Sequence, residues 1–263
     1  MGSEKPTDHL SGPFSWREQG QGNPVVFLHG LGGTRTAWGP QLRGLHQKFR
    51  CIAWDMPGYG KAKPLIPLTY AGIADRLVAL LDLLEIERAD LVGLSFGGMH
   101  ALHTVLKHPS RVNRLILADS SPAFGMDGTT QEEWQRARLE PLDQGQTPAD
   151  LAEPVIDAIT ASRLTGQIRR ETIASFGEIP VEGFRAAVEC LPTNDLRDRL
   201  ADVIHETLVV VGELDEETPI SYSKTITDGI PNSRLVVLPG AGHLSPAEAP
   251  DEFNDLIANF LAT

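Results

Sequence analysis

Three residues in separate parts of the chain have the types and settings that nucleophilic catalysis requires. Ser95 lies in "GLSFG", where Gly93 and Gly97 stand two positions to either side of it. This G-x-S-x-G pattern is typical of a sharp turn from a strand into a helix that lifts a serine hydroxyl into the open. Such a hydroxyl attacks a carbonyl carbon when a neighbouring base takes its proton. We therefore predict that Ser95 is a nucleophile, with Asp215 and His243 as its partners.

The predicted base and acid each follow an apolar run near the end of the chain. Asp215 lies in "VVVGELDEETP" and His243 in "VVLPGAGHLSPAEAP", so each is expected in a loop after a strand. His243 would move the proton of Ser95, and Asp215 would orient the imidazole and stabilise its cation. Glu213 and Asp119 remain alternative candidates for the acid, because Glu213 is close to Asp215 in sequence and Asp119 also ends a predicted strand.

A third stretch, "VVFLHGLGG", supplies the donors that acyl transfer also needs. An oxyanion is usually held by two preorganised backbone N–H groups. The loop after this strand can present the N–H of Leu31, and Phe96, directly after the serine, can present the other. His29 is interpreted as a structural residue that braces the loop.

Composition excludes several classes of partner. The 263 residues carry a formal net charge of −12, which argues against nucleic acid and anionic membranes as partners. No run of 18 apolar residues occurs, so we expect no membrane span, and the polar first residues predict no secretory signal. The two cysteines, Cys51 and Cys190, predict no disulfide framework. We expect a protein of the reducing cytoplasm. The absence of an H-E-x-x-H motif gives no support to a zinc site, and neither a metal nor a cofactor is predicted.

The elements that position these residues alternate between strands and helices. Short apolar runs, typical of parallel strands buried on both faces, occur at residues 24–30, 50–58, 89–95, 114–120, 207–215 and 234–243. Helical patterns lie between them, as at residues 69–86, 99–109 and 249–262, which predicts a parallel sheet with helices on both faces. The stretch "GPFSWREQGQG", residues 12–22, predicts an antiparallel hairpin at one edge.

One interval contains no predicted strand. Within it, helices are predicted near residues 130–143, 148–161, 166–176 and 181–191. We expect residues 122–202 to form a helical cap over the carboxyl ends of the strands, where ligands bind in open α/β sheets. Residues 1–121 and 203–263 would then form the core domain.

The motifs together resemble the α/β-hydrolase fold superfamily. "FLHGLGG", "DMPGYG", "GLSFGG", "GELDEETP" and "PGAGHLSPAEAP" occur in the order and at the intervals of that superfamily. The resemblance implies a mostly parallel eight-stranded sheet flanked by helices, with a helical cap inserted after the sixth strand. Within the superfamily the chain is similar to 3-oxoadipate enol-lactonases and related lactonases and carboxylesterases. The loop with the sequence "DMPGYGKA" departs from the arginine-containing form that is commoner in the superfamily, so this loop does not identify the subfamily.

The resemblance implies a hydrolase that acts on a small molecule. The first hypothesis is a cofactor-free serine hydrolase that opens a lactone or a small carboxylic ester through an acyl-enzyme. The alternatives are a C–C bond hydrolase of aromatic catabolism with the same triad and a hydrolase-fold receptor that binds its ligand in the capped pocket. A homo-oligomer is possible under each of them.

Specificity is expected to come from the cap and the pocket beneath it. The candidate pocket residues, each of which could instead pack in the core, are Trp38, Trp134, Arg138, Phe176 and Phe184. Trp134 and Arg138 are four residues apart and share a helix face, so they could present an aromatic wall and a cation together. The arginine would suit a carboxylate-bearing enol-lactone, unless acidic neighbours pair with it. Because the rest of the predicted lining is mostly apolar, we expect neutral lactones or esters to be preferred.

Overall fold

The computed structural model describes residues 5–262, and residues 1–4 and 263, at the ends of the predicted core domain, lie outside the described residues. Eight strands form one sheet in the order β1-β2-β4-β3-β5-β6-β7-β8. The strands are β1 (Thr7–Ser11), β2 (Phe14–Gln19), β3 (Pro24–Leu28), β4 (Arg50–Trp54), β5 (Ala89–Leu94), β6 (Val112–Ala118), β7 (Thr207–Gly212) and β8 (Ser233–Leu238). The predicted eight-stranded sheet is confirmed.

The sheet is parallel except at one edge. Strands β3 to β8 pair in parallel, while β1 pairs with β2 and β2 with β4 in antiparallel fashion. The central strand β5 is buried at all six positions, as its unbroken apolar run predicts. The edge hairpin begins at Thr7, earlier than the predicted start at Gly12. Strand β1 is largely exposed, and its sequence "TDHLS" therefore has no apolar pattern that would reveal it.

Helices cover both faces of the sheet. They are α1 (Gly39–Leu45), α2 (Tyr70–Leu83), α3 (Phe96–Lys107), α4 (Gln131–Asp143), α5 (Pro148–Ile159), α6 (Gly166–Gly177), α7 (Val181–Cys190), α8 (Ile220–Gly229), α9 (Ser245–Glu248) and α10 (Pro250–Leu261). Apolar residues of α2, α3 and α8 pack into the core on one face, and those of α1 and α10 pack into the core on the other. No helix among the described residues is long and apolar enough to cross a membrane.

Helices α4 to α7 form an insert between β6 and β7, and the predicted helical insertion after the sixth strand is confirmed. The two ends of the insert are joined to each other, because Ala123 and Asp195 form an isolated β-bridge. The N–H of Phe124 donates to the Asn194 carbonyl at 2.9 Å beside this bridge. The chain therefore leaves the core and returns to it at one place, next to the carboxyl end of β6.

Candidate active site

Ser95 occupies the turn between β5 and α3. Its φ of +52° and ψ of −115° form a conformation that is rare for a residue with a side chain and that aims the hydroxyl away from both elements. A Cβ at Gly93 would lie 2.4 Å from the Gly97 carbonyl oxygen, and a Cβ at Gly97 would lie 2.0 Å from that of Leu28. Glycine is therefore required at both positions because strand and helix nearly touch. The backbone of Ser95 is fixed by its N–H, which donates to the Ala118 carbonyl at 2.8 Å.

The structure brings Ser95, His243 and Asp215 together. His243 Nε2 lies 3.0 Å from Ser95 Oγ, and His243 Nδ1 lies 3.0 Å from each carboxylate oxygen of Asp215. Only 4% of Asp215 and 7% of His243 is exposed. The N–H groups of Glu217 and Thr218 donate to Asp215 Oδ1 at 2.9 Å, which fixes the carboxylate in the loop after β7. A serine, an imidazole and a carboxylate are thus joined in one hydrogen-bonded row.

The charges in this row strengthen the imidazole as a base. Burial disfavours the charged form of His243, but the adjacent Asp215 carboxylate outweighs burial and raises the pKa of His243 to about 9. Burial likewise disfavours ionised Asp215, yet the imidazole holds the pKa of Asp215 below its ordinary value. The pair therefore favours the imidazolium that would form when His243 accepts a proton from Ser95.

The two alternative acids face backbone groups. Asp119 is buried, and it accepts hydrogen bonds from the N–H groups of Gly212 and Ser245, each at 2.9 Å. Burial, together with repulsion from Asp215, raises the pKa of Asp119 to about 8. Glu213 accepts from the Gly240 N–H at 2.9 Å. Asp215 is the acid that contacts the imidazole, and Asp119 links the end of β6 to the loops that carry Asp215 and His243.

The predicted oxyanion donors lie on two different elements. Phe96 is the first residue of α3, so its N–H belongs to the amino-terminal turn, where N–H groups point out of the helix. The Phe96 ring is buried against His100, with ring centroids 4.1 Å apart, so its side chain does not line the cavity and only its backbone N–H is a candidate donor. Leu31 lies in the loop after β3 and lines the cavity above Ser95.

The loop that carries Leu31 is braced from two sides. The Tyr59 hydroxyl donates to the Leu31 carbonyl at 3.1 Å. His29 Nε2 accepts from the Met56 N–H at 3.1 Å, so Nδ1 carries the proton and donates to the Gly30 carbonyl at 2.9 Å. Burial lowers the pKa of His29, which is consistent with a neutral ring and with the structural role expected from the sequence. Tyr59 was not predicted, although it stands in the "DMPGYG" motif.

A cavity of about 780 Å³ lies between Ser95 and the helical insert. All five candidate pocket residues line it, namely Trp38, Trp134, Arg138, Phe176 and Phe184. The two phenylalanines, with ring centroids 5.9 Å apart, are also buried in the apolar core, so they pack and line the cavity at once. Trp38 does the same on the other face, against Phe27. These three residues therefore belong both to the apolar core and to the cavity wall.

Arg138 reaches the cavity but already has partners. Its guanidinium stacks on the Trp134 ring, 4.2 Å from the centroid, and its Nη2 lies 3.7 Å from Glu217 Oε2. Burial lowers the pKa of Arg138, and the Glu217 carboxylate opposes that change. Glu217 follows Asp215 by two residues, so this ion pair connects α4 to the loop of the predicted catalytic acid. The sequence indicated acidic neighbours as partners and missed Glu217, which lies in the loop after β7.

No group of three or more His, Cys, Asp or Glu side chains that could hold a metal ion occurs within residues 5–262. Cys51 and Cys190 are buried and free, and burial raises the pKa of each thiol to about 12.

The family model of the alpha/beta hydrolase fold matches residues 23–250. The chain belongs to this family.

Known relatives carry out different hydrolytic reactions. The chain is 33% identical to 2-hydroxymuconate semialdehyde hydrolase of Pseudomonas sp. (strain CF600), over 93% of this chain and 89% of the relative. It is 26% identical to 3-oxoadipate enol-lactonase 1 of Acinetobacter baylyi, over 90% of this chain and 88% of the relative. Among solved structures, a thermophilic esterase from Thermogutta terrifontis superposes with a TM-score of 0.85 at 28% identity, over 98% of both chains. The relatives thus include a semialdehyde hydrolase, a lactonase and an esterase.

Proposed function

We propose that this protein is a serine hydrolase that cleaves a neutral lactone or small carboxylic ester through an acyl-enzyme. The observation that carries the proposal is the row of 3.0 Å contacts from Ser95 through His243 to Asp215. The position of this row at the cavity supports acyl transfer over ligand binding alone, because a binding site needs no activated hydroxyl.

Each group of the row has one role in the proposed reaction. His243 Nε2 takes the proton of Ser95 while Ser95 Oγ bonds to the substrate carbonyl carbon. The N–H groups of Leu31 and Phe96 hold the oxyanion of the tetrahedral intermediate. As this intermediate collapses, the bond to the leaving alcohol breaks and His243 returns the proton to the alkoxide. Water then attacks the acyl-enzyme with His243 as base, and the acid and free Ser95 are released.

The lining of the cavity supports a neutral substrate. Much of the cavity wall is apolar, including Leu31, Met99 and Ile159. The arginine on the wall is paired with Glu217, and three further acids, Asp127, Glu133 and Glu216, also line the cavity. A carboxylate on the substrate would therefore meet a wall with an excess of negative charge. This arrangement favours a neutral ester or lactone over an anionic enol-lactone.

A C–C bond hydrolase is the second candidate. It is supported by the relative that is 33% identical over 93% of the chain, which hydrolyses a semialdehyde according to its name. The same three residues would serve such a reaction, so the triad geometry alone does not separate the two activities. In either case the expected division is a helical cap of residues 122–202 over a core of residues 1–121 and 203–263.

Turnover of matched substrates tests the proposal. Purified protein is assayed on a neutral aliphatic lactone, a short p-nitrophenyl ester, an anionic enol-lactone and a vinylogous diketone, with the Ser95→Ala variant as control. We expect the highest kcat/KM on a neutral lactone or ester and a loss of about 10⁴-fold in Ser95→Ala. A highest kcat/KM on the diketone would replace this proposal with the C–C hydrolase.

A further inference from the structure

Glu248 is a buried acid that the proposed reaction does not use. It lies in α9, five residues after His243, and is 3% exposed. Its Oε1 accepts hydrogen bonds from the N–H groups of Gly242 and Leu244, at 3.1 and 3.2 Å. These are the residues immediately before and after His243. One carboxylate oxygen therefore holds the backbone on both sides of the imidazole.

The other oxygen of Glu248 holds the helical insert. Its Oε2 accepts from the Ala161 N–H at 2.7 Å, just beyond the end of α5. A second bond joins the same segments, from the His243 N–H to the Ile159 carbonyl at 3.0 Å. The contact is tight, because a Cβ on Gly242 would lie 2.8 Å from the Ala161 nitrogen and 3.0 Å from the Ile159 oxygen.

We infer that Glu248 is a positioning residue that joins the His243 loop to the helical insert, so that the imidazole is aligned only while the insert is seated. The inference rests on the proposed function for its catalytic consequence. Glu248 would act through the backbone of His243, without contact to substrate. The insert thereby sets both the shape of the cavity and the position of the base.

The bonding pattern favours an ionised carboxylate. All three partners of Glu248 are N–H donors, which a carboxylate accepts from without competition and which a protonated carboxyl would partly repel. Burial raises the pKa of Glu248, and the three N–H groups oppose that change. Four acids then face His243, namely Asp215 and Glu217 from the loop after β7, Asp119 from the end of β6, and Glu248 from α9. Loss of the Glu248 charge should lower the pKa of His243.

Two substitutions separate the geometry from the charge. In Glu248→Gln the amide keeps one acceptor oxygen but turns an NH2 group towards backbone donors, and the charge is lost. In Glu248→Asp the charge remains, but the side chain is one methylene shorter and cannot reach all three N–H groups. The matched control is Glu252→Gln, because Glu252 binds Arg163 of the same insert segment in an exposed ion pair outside the His243 loop.

We expect kcat on the best substrate to fall roughly 10- to 100-fold in both Glu248 variants, because small misplacements of a catalytic base cost this much. KM should change less than about threefold, since the cavity walls remain. Activity should rise with pH as His243 loses its proton. In Glu248→Gln this rise in the pH profile of kcat/KM should move to lower pH by about half a unit, and in Glu248→Asp its position should not change. Wild-type kcat and an unshifted limb in Glu248→Gln, or an equal loss in Glu252→Gln, would overturn the inference.

Amide hydrogen exchange in the wild-type protein gives a test that depends on neither a variant nor turnover. The N–H groups of Ala161, Gly242 and Leu244 should exchange slowly and at similar rates, because one carboxylate holds them. Exchange of Ala161 about 100-fold faster than the other two would show that the insert moves without the loop, and the inference would be wrong. If instead Ser95→Ala retains turnover, the proposed function fails while the exchange result still decides the role of Glu248.

Discussion

Asp215 directs both carboxylate oxygens at Nδ1 of His243, each at 3.0 Å, whereas the equally buried Asp119 directs its oxygens at the backbone of Gly212 and Ser245. We therefore expect Asp215→Asn to lower kcat about 10³- to 10⁴-fold, because the imidazole loses its orienting charge. Asp119→Asn should cost less, and Glu213→Gln, which affects a bond to Gly240, should cost least. Steady-state kinetics of the three variants, with circular dichroism as the folding control, would check this order, and a larger loss at Asp119 would transfer the role of acid there.

The pH dependence of activity follows from the pKa of His243. The base must be neutral to accept the proton of Ser95, and Asp215 raises the pKa of His243 to about 9. Activity should therefore increase as pH rises, with one ascending limb in kcat/KM between pH ~7 and ~9, above the ordinary value for histidine. In Asp215→Asn the residual activity should have its limb at lower pH. A wild-type profile that is flat from pH 5 to 9 would contradict a histidine base.

The ion pair between Arg138 and Glu217 should control the response to substrate charge. Glu217→Gln removes the partner of the guanidinium, so kcat/KM for a half-ester of a dicarboxylic acid should rise about tenfold relative to a neutral ester of equal length. The ratio should be measured above the ascending limb, because Glu217 also raises the pKa of His243. Glu216→Gln, which removes the charge of another acid of the cavity wall without freeing Arg138, is the matched control and should raise the ratio much less.

Arg138→Ala tests the same pair from the other side. If Glu217 already neutralises the arginine, kcat/KM for neutral substrates should change less than about fivefold. A tenfold higher KM confined to an anionic lactone, with that lactone as the best substrate, would show that Arg138 binds the substrate carboxylate and that the enol-lactonase assignment is the correct one.

The close approach of strand and helix at the serine turn predicts a large effect on stability. Gly97→Ala places a Cβ 2.0 Å from the Leu28 carbonyl oxygen, and the overlap should lower the free energy of unfolding by about 3 kcal/mol. Gly166→Ala is the control, since Gly166 has a φ of +58° but no atom within 4 Å of an added Cβ, so that only backbone strain of about 1 kcal/mol is expected. Urea unfolding of both variants measures the difference. Equal losses of unfolding free energy would mean that steric overlap with Leu28 is not the reason for glycine at position 97.

The sequence was informative wherever a signal is local. The unbroken apolar runs predicted the parallel strands, and the four helices of the insert begin and end within two residues of their predicted bounds. The exposed strand β1 has no such run, and α3 begins three residues before the predicted start because the turn at Ser95 opens directly into it. Tyr59, Glu217 and Glu248 were missed for a different reason. Their partners lie on other elements, so only the assembled fold gives them a role.

Covalent labelling of the serine tests the central claim most directly. The protein is incubated with an alkyl fluorophosphonate, and intact-mass and peptide-mass measurements give the stoichiometry and the labelled residue. We expect one label per chain on Ser95, loss of turnover in proportion to labelling, no label in Ser95→Ala, and much slower labelling in His243→Ala, which lacks the base. A label on another residue, or turnover that persists after Ser95 is fully labelled, would contradict the account.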